Sequence, residues 1–424
     1  MYKQLWDLVK KETKRQQETI GLIPSENIAD PEILKVLGTP LVNKYSEGYP
    51  RRRYYPGNEF CDDIELLAQT EGFRAFGVKG EPSTALPMKA DECDPAKKDT
   101  WYLNVQAASG SAANMAIYFA LMKPGDTVLG MALAHGGHLT HGFKLNFSGT
   151  FYKSVQYGLD EKTGLLDYAQ IEKLAVENKP KVIYSGATAY SRLIDFKRIG
   201  EIAKKIGAYH VADVSHIAGL ISAGVHPSPF PYADVVMATT HKTMRGPRGA
   251  VIFAKSQELA IAINKAIIPG IQGGPHNNQT AAIALMFKLM QEKKYKNYGA
   301  QIVKNAKVFA DELTKFGFTI YSGGTENHLL LIDLKNKGIT GSEGEELLEK
   351  AGIIANRNSV PGDDKPFRPS GIRMGTPLVT SRGMKEAQMK IIAGWIHRLI
   401  DLKESPVKVK KEVVALCKKF KLPY

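Results

Sequence analysis

Residues 234–250 read DVVMATTHKTMRGPRGA. Val235, Val236, Met237 and Ala238 form the short apolar run that a buried strand of a parallel sheet needs, and Thr239, Thr240, His241 and Lys242 follow as its polar end. In open α/β sheets ligands bind beyond the carboxyl ends of the strands, so this strand would deliver Lys242 to a ligand crevice. A lysine amine becomes a nucleophile toward carbonyls once burial or nearby cations lower its pKa from about 10.4, and Arg245 and Arg248 stand close in sequence. Taken alone, the same stretch also reads as a solvated basic turn after a strand.

Outward from it, apolar and β-branched runs at 101–105, 127–133, 150–156, 181–185 and 209–214 alternate with helical patterns. One helix is capped by Asp167; another, 196–206, puts Phe196, Ile199, Ile202, Ala203 and Ile206 on one face and stops at Gly207. Such alternation predicts an α/β fold, a mostly parallel sheet wound with helices. Past 280 the pattern changes to long helices, one with Ile302, Ala306, Phe309 and Leu313 on a face, and to strands at 318–321 and 328–334. The expected organisation is a helical arm over 1–45, a large domain over 46–279 and a smaller C-terminal α+β domain over 280–424. Residues 43–60, NKYSEGYPRRRYYPGNEF, and the Pro- and charge-rich 80–100 read as irregular loops.

A chain of 424 residues, 43% hydrophobic, can bury more than one core. No uninterrupted apolar segment approaches 18 residues and the start is charged throughout, so no membrane span and a cytoplasmic location are expected. Cys61, Cys93 and Cys417 are scattered, which argues against a disulfide framework or a zinc knuckle. The net charge of +14 suits phosphates, polyanionic substrates or nucleic acid. Residues 403–424 hold seven lysines and two glutamates around Val409, Val413, Leu416 and Phe420 at helical spacing, so the tail reads as an amphipathic helix docked on the body or as an anionic-surface contact.

Each predicted strand ends in polar groups. Ser109, Gly110 and Ser111 open a helix whose free N–H groups can hold a phosphate, although such a triplet is also a common N-cap. LAHGGHLTHG offers His135, His138 and His141; Thr188, Tyr190 and Ser191 follow one strand, Asp213 and His216 the next, and Lys242 another. Together they call for a phosphorylated cofactor with an aldehyde for Lys242 and a basic ring nitrogen for Asp213, demands that pyridoxal 5'-phosphate meets. The histidine spacing leaves zinc as an alternative, but two glycines between His135 and His138 suit a loop, and no metal is assigned.

The ordered pieces PSEN, NKYSEGYPRRRYY, SGSAAN, LAHGGHLTHG, ADVSHIAGL, TTHKTMRGPRG, GIQGGP and NSVP…SGIRMGTP, from about residue 20 to 400, resemble the serine hydroxymethyltransferase family of fold-type I, aminotransferase-like pyridoxal-phosphate enzymes. The resemblance implies transfer of the hydroxymethyl carbon of L-serine to a reduced pterin, tetrahydrofolate or a modified pterin, leaving glycine. It implies that Lys242 holds the cofactor as an imine, Asp213 pairs with the ring nitrogen, His138 stacks on the ring and His216 meets a cofactor oxygen. Ser109, Gly110, Ser111 and His241 would bind the phosphate, with Gly273 reaching it from a second subunit and Thr188 among the cofactor contacts. Arg373 would grip the substrate carboxylate as a fork, helped by Ser25. Tyr45, Glu47 and Tyr55 would come from the neighbouring subunit of a homodimer or higher oligomer, with Glu47 handling protons and Thr240 a further catalytic position. Tyr54, Tyr55, Leu133, Gly137, Leu139 and Asn358 match folate-pocket positions.

Three departures from the family pattern stand out: AASGS at 107–111 lacks a preceding histidine, Ile271 interrupts a glycine run, and the 80–100 link is long enough to leave methanopterin open as the acceptor. An aldolase of 3-hydroxy amino acids would use the same imine chemistry without a pterin, leaving NKYSEGYPRRRYY and NSVP without a task. A nucleic-acid-binding protein would use the charge but leave Lys242, Asp213 and Arg373 without one.

Overall fold

In a computed structural model, which describes residues 2–363 and 368–424, the chain opens with α1 (Tyr2–Glu18), none of it buried, and β1 (Ile20–Gly21). Residues 364–367 of the NSVP…SGIRMGTP segment lie outside the described residues. Asp30 caps α2 (Pro31–Leu37) by accepting from the Glu32 N–H. Residues 43–60 are not wholly irregular: β2 (Gly48–Tyr49) and β3 (Arg52–Arg53) form a small antiparallel hairpin, followed by α3 (Glu59–Phe76). Nor is the arginine run simply solvated, since the Arg53 side chain is 4% exposed and paired with Asp62 and Glu65 of α3.

The large sheet then takes β4 (Tyr102–Asn104), α4 (Gly110–Leu121), β5 (Thr127–Met131), α5 (Phe147–Thr150), β6 (Lys153–Tyr157), α6 (Tyr168–Asn178), β7 (Val182–Ser185), α7 (Phe196–Ile206), β8 (Tyr209–Asp213), α8 (Ala218–Ser222), β9 (Val235–Thr239) and β10 (Ala250–Ala254). Its order is β4-β10-β9-β8-β7-β5-β6, with neighbours parallel except where β10 runs against β4 and β9. The α/β class and the mostly parallel sheet are therefore as expected. Sequence reasoning missed β10, because five apolar residues after a Gly/Pro loop carry no period of their own. Alternate residues of β9 serve opposite faces: Val235 and Met237 join one apolar cluster, Val236 and Ala238 the other. Both faces are thus dry, and each fully buried aliphatic side chain contributes about 1.5–3 kcal/mol.

After α9 (Gln257–Lys265) and α10 (Asn277–Met290) comes the long α11 (Lys293–Lys315). Tyr295, Tyr298 and Ile302 of α11 belong to the core of the large sheet, whereas Phe309, Ala310 and Leu313 belong to a second core. The two apolar clusters meet inside this helix, and α10 packs its Ala282, Ile283 and Phe287 into the first. The second core gathers β11 (Thr319–Ile320), β12 (Leu329–Asp333), α12 (Gly341–Lys350), β13 (Ile353–Ile354), β14 (Asn356–Asn358), β15 (Gly371–Gly375), α13 (Pro377–Ser381), α14 (Glu386–Ile400) and α15 (Pro406–Lys419). Its antiparallel sheet runs β11-β12-β15-β14, and β13 pairs with β1, so the N-terminal arm is stitched to the C-terminal unit. Val409, Val413 and Cys417 of the basic tail are buried in this core, as its helical spacing requires. No helix among the described residues is long and apolar enough to cross a membrane.

Candidate active site

Lys242 lies three residues beyond β9, in a loop that closes on itself before β10. The Thr240 hydroxyl donates to the Pro247 carbonyl at 2.5 Å, the Gly246 N–H to the Thr240 carbonyl at 2.8 Å, and the Thr240 N–H to the Gly249 carbonyl at 3.0 Å. From outside, Asn27 donates to the Lys242 carbonyl at 2.8 Å and Tyr295 to the Thr243 carbonyl at 2.9 Å. Arg245 takes the left-handed conformation (φ 59°) that the turn requires. Its guanidinium lies over the Tyr298 ring and its Nε donates to the Ile28 carbonyl, so the cations beside Lys242 are Arg248 and Arg373, not Arg245.

A cavity of about 190 Å³ opens at the carboxyl ends of the parallel strands, and Lys242 faces it together with Ser109, Gly110, Ser111, His138, Thr188, Asp213, His216 and His241. The strand order therefore unites residues that are spread over more than a hundred positions. Burial pushes the Lys242 amine down to about 8; Asp213 opposes this, and Arg373 and Arg248 reinforce it. Near neutral pH a useful fraction of the amine is then unprotonated.

Asp213, the last residue of β8, is buried, which alone would raise its pKa. The hydrogen bond and charge of His141, with further help from His138 and Ser215, outweigh that and hold the carboxyl well below the usual range. Asn114 Nδ2 (3.0 Å) and His141 Nε2 (3.1 Å) reach one carboxylate oxygen, and the Ser215 N–H (3.1 Å) reaches the other. Asn114 also donates to Thr140 Oγ1 at 2.7 Å, which leaves that hydroxyl to donate to His138 Nδ1 at 2.7 Å. His138 is pushed down to about 4, first by burial and then by His141, so its ring is neutral. His138, His141 and Asp213 bring one ligating atom each within 4.8 Å of one another, the grouping nearest to a metal site among the described residues. His135 turns away from them, its Nδ1 accepting from the Leu159 N–H at 3.0 Å.

The remaining predicted residues fall into four places. Arg373, on β15, is poised at the rim: its Nη1 donates to the Thr188 carbonyl at 2.7 Å, while Nε and Nη2 donate to Asn356 Oδ1 at 3.2 and 3.1 Å. Thr188 in turn donates to the carbonyls of Gly136 and Gly137, fixing the turn that carries Leu133, His138 and the exposed Leu139. Asn358 shares β14 with Asn356. Ser25 lines a neighbouring cavity of about 400 Å³ whose wall also includes His241 and Arg248. Thr240 is buried but does not line the lysine cavity, because its hydroxyl is committed to Pro247.

Tyr45, Glu47, Tyr55 and Gly273 form a separate group in which Glu47 is half-buried and the other three are exposed. The Tyr45 hydroxyl bonds the Glu47 carboxylate, the Tyr45 and Tyr55 rings meet edge to face at 5.2 Å, and a Cβ on Gly273 would stand 3.2 Å from Glu47 Oε1. None of them lines the cavity of Lys242 in the same chain, and Tyr54 is 67% exposed beside them.

Sequence reasoning did not single out Asn114, Ser215 or His328. Asn114 had a signal, being the one polar residue inside the apolar run of α4. Ser215 and His328 had none, because their roles follow from contacts made across the fold.

The donor set fits a phosphorylated pyridine aldehyde. Thr239 Oγ1 and His241 Nδ1 are buried without a partner among the described residues, and Gly110 at the start of α4 leaves a cradle in which a Cβ would stand 2.6 Å from Thr239 Cγ2. With a basicity-lowered lysine and a permanently charged carboxylate on the same cavity, fold and site define a fold-type I enzyme of the pyridoxal-phosphate class. The family model for serine hydroxymethyltransferase matches residues 1–396. The serine hydroxymethyltransferase of Desulfotalea psychrophila is 48% identical over 424 residues, covering 99% of this chain and 94% of that relative. The chain belongs to the serine hydroxymethyltransferase family, whose members use pyridoxal phosphate and transfer the hydroxymethyl group of serine to tetrahydrofolate, giving glycine.

Proposed function

We propose that this chain carries out the family reaction with Lys242, Asp213, His138, His216 and Arg373 as its central residues. The observation that carries this reading is the cavity itself, where a lysine of lowered basicity and a carboxylate locked in its charged form share one wall. When bound there, the cofactor supplies an aldehyde for amines and a protonated ring that withdraws electrons from the substrate carbon. The protein's part is to hold and to orient. Asp213 would keep a ring nitrogen protonated, His138 would cover the ring, and Ser109, Gly110, Ser111 and His241 would receive the phosphate at the start of α4. Arg373 offers a fork to the serine carboxylate once its bond to the Thr188 carbonyl yields to the stronger charged partner.

Glu47 is assigned to proton handling at the serine hydroxyl, with Tyr45 and Tyr55 beside it and Tyr54, Leu133, Gly137, Leu139 and Asn358 toward the pterin. Since Glu47 stands apart from Lys242 in its own chain, we assign it to the site of a second copy in a homodimer, with Gly273 reaching the phosphate of that site. The acceptor is tetrahydrofolate; a modified pterin is the finer possibility that the long 80–100 link keeps open. A cytoplasmic location is part of the same reading, in keeping with three free cysteines.

Borohydride reduction of the yellow protein, followed by peptide mapping, tests the central assignment: the label belongs on Lys242, and label elsewhere overturns it. Mixing Lys242→Met with Glu47→Gln chains tests the shared site. A hybrid dimer that regains serine turnover absent from both parents supports Glu47 acting across the interface; no recovery in verified hybrids refutes it. Turnover with tetrahydrofolate set against tetrahydromethanopterin decides the acceptor.

A further inference from the structure

His328 immediately precedes β12, on the small sheet, and is fully buried. It reaches across to the large unit, where its Nε2 lies 3.1 Å from Nδ1 of His216, with ring centroids 5.4 Å apart and planes tilted by 32°. Two imidazoles at this distance need one proton between these nitrogens: one donates, the other accepts. Charging both rings is opposed by burial and by the cations of Lys242 and Arg373, which hold both histidines far below their ordinary value, His328 to about 3.

The direction of the shared proton follows from the other end of His328. Its Nδ1 is buried with no partner among the described residues. A buried N–H left without an acceptor is rarer and costlier than an unfilled lone pair. The single proton of neutral His328 therefore sits on Nε2 and is donated to His216 Nδ1. His216 must then carry its own proton on Nε2, the nitrogen left over on a ring that lines the cavity. The backbone of His216 is anchored nearby, its carbonyl accepting from Thr243 Oγ1 at 3.0 Å.

Resting on the cofactor reading above for its consequence, we propose that His328 is a positioning residue that fixes His216 as the neutral tautomer offering an Nε2–H donor to the cavity. A ring so fixed can receive an anionic or carbonyl oxygen of the ligand and cannot act as a base toward it. The small unit thereby sets the polarity of a group on the large one.

The test uses full-length protein labelled with 15N-histidine, stripped of cofactor and then reloaded with pyridoxal phosphate. Ring-nitrogen shifts should show His216 with Nε2 protonated and Nδ1 as acceptor before loading. In His328→Gln the amide nitrogen replaces Nε2 as donor, so tautomer and cofactor affinity should stay within about threefold of the parent; in His328→Phe the tautomers should mix and cofactor affinity should fall about tenfold, the worth of one lost hydrogen bond. A His216 that is charged, or protonated on Nδ1, in the unsubstituted protein overturns the proposal, as does a His328→Phe protein that keeps the Nε2–H form. The expected tautomer in a protein that takes up no pyridoxal phosphate would uphold the role of His328 and refute the cofactor reading instead.

Discussion

The guanidinium of Arg53 and the carboxylate of Glu65 meet at 2.7 Å with side chains only 4% and 3% exposed. The same guanidinium donates to Asp62 Oδ1 at 2.8 Å and, through Nη1, to the carbonyls of Ser46 at 2.9 Å and Gly48 at 2.7 Å, the two residues that flank Glu47. Gln106 joins Glu65 to the Gly48 carbonyl from the other side and accepts from Gln272 through its own carbonyl, linking the hairpin to the loop of Gly273. Removing the cation leaves the buried Glu65 with only the neutral Gln106 and the buried Asp62 with Arg51 at 3.9 Å. Arg53→Ala should therefore lose about 3–5 kcal/mol in urea unfolding. Arg53→Lys keeps the charge but not the fork, so it should fold while serine turnover falls more than serine binding. An Arg53→Ala protein of unchanged stability would show that Asp62 and Glu65 pair elsewhere.

Lys242 should titrate early. Acylation of its amine in the cofactor-free protein should follow a midpoint near pH 8. Because the folded pKa lies below the unfolded one of about 10.4, the unfolded chain binds more protons between those values, and stability rises with pH across that window. The destabilising cost of the charged amine is present in full below pH 8. The stability advantage of Lys242→Met over the parent should accordingly be largest below pH 8 and shrink toward pH 10; a gap that does not change with pH would place the amine in water.

Asp213 accepts from three donors, and an amide oxygen cannot serve them all. Asp213→Asn should leave at least one of Asn114, His141 and Ser215 unpaired, at about 1–3 kcal/mol in thermal or urea unfolding. It also removes the charge assigned to the ring nitrogen, so pyridoxal phosphate titrated by absorbance should bind at least about tenfold more weakly, the worth of one such charged bond. Equal affinity would mean that the ring nitrogen faces another group.

Arg373→Lys preserves charge but loses planarity. With Asn356 and the Thr188 carbonyl holding the fork in place, its loss should raise KM for serine about ten- to a hundredfold, the worth of one charged hydrogen bond, with a smaller effect on kcat. A change confined to kcat would move Arg373 from binding to chemistry.

What could be read before folding, and what could not, follows the range of the interactions. α7 carries five apolar residues on one face and ends at Gly207 in the left-handed conformation, so its sequence prescribes both its length and its end. Lys242, Asp213 and Ser109 were legible because each ends a strand or follows one within a few residues, and strand ends converge in such sheets. β10 was not, for lack of periodicity, nor was the pairing of Arg53 with α3, which needs the hairpin to fold back first. His328 lies 112 residues from His216, and nothing local to either predicts that their rings meet. The committed hydroxyl of Thr240 and the place of Ser25 on a second cavity likewise emerge only from loop closure.

The long α11 has one end rooted in each core. One continuous helix thus carries side chains of both cores, so the small sheet that bears Arg373 and the strand ends that bear Lys242 share a common strut. At the far side of the crevice the price of admission for a carboxylate is the Thr188 carbonyl, a neutral acceptor that an anion outcompetes for the Arg373 guanidinium.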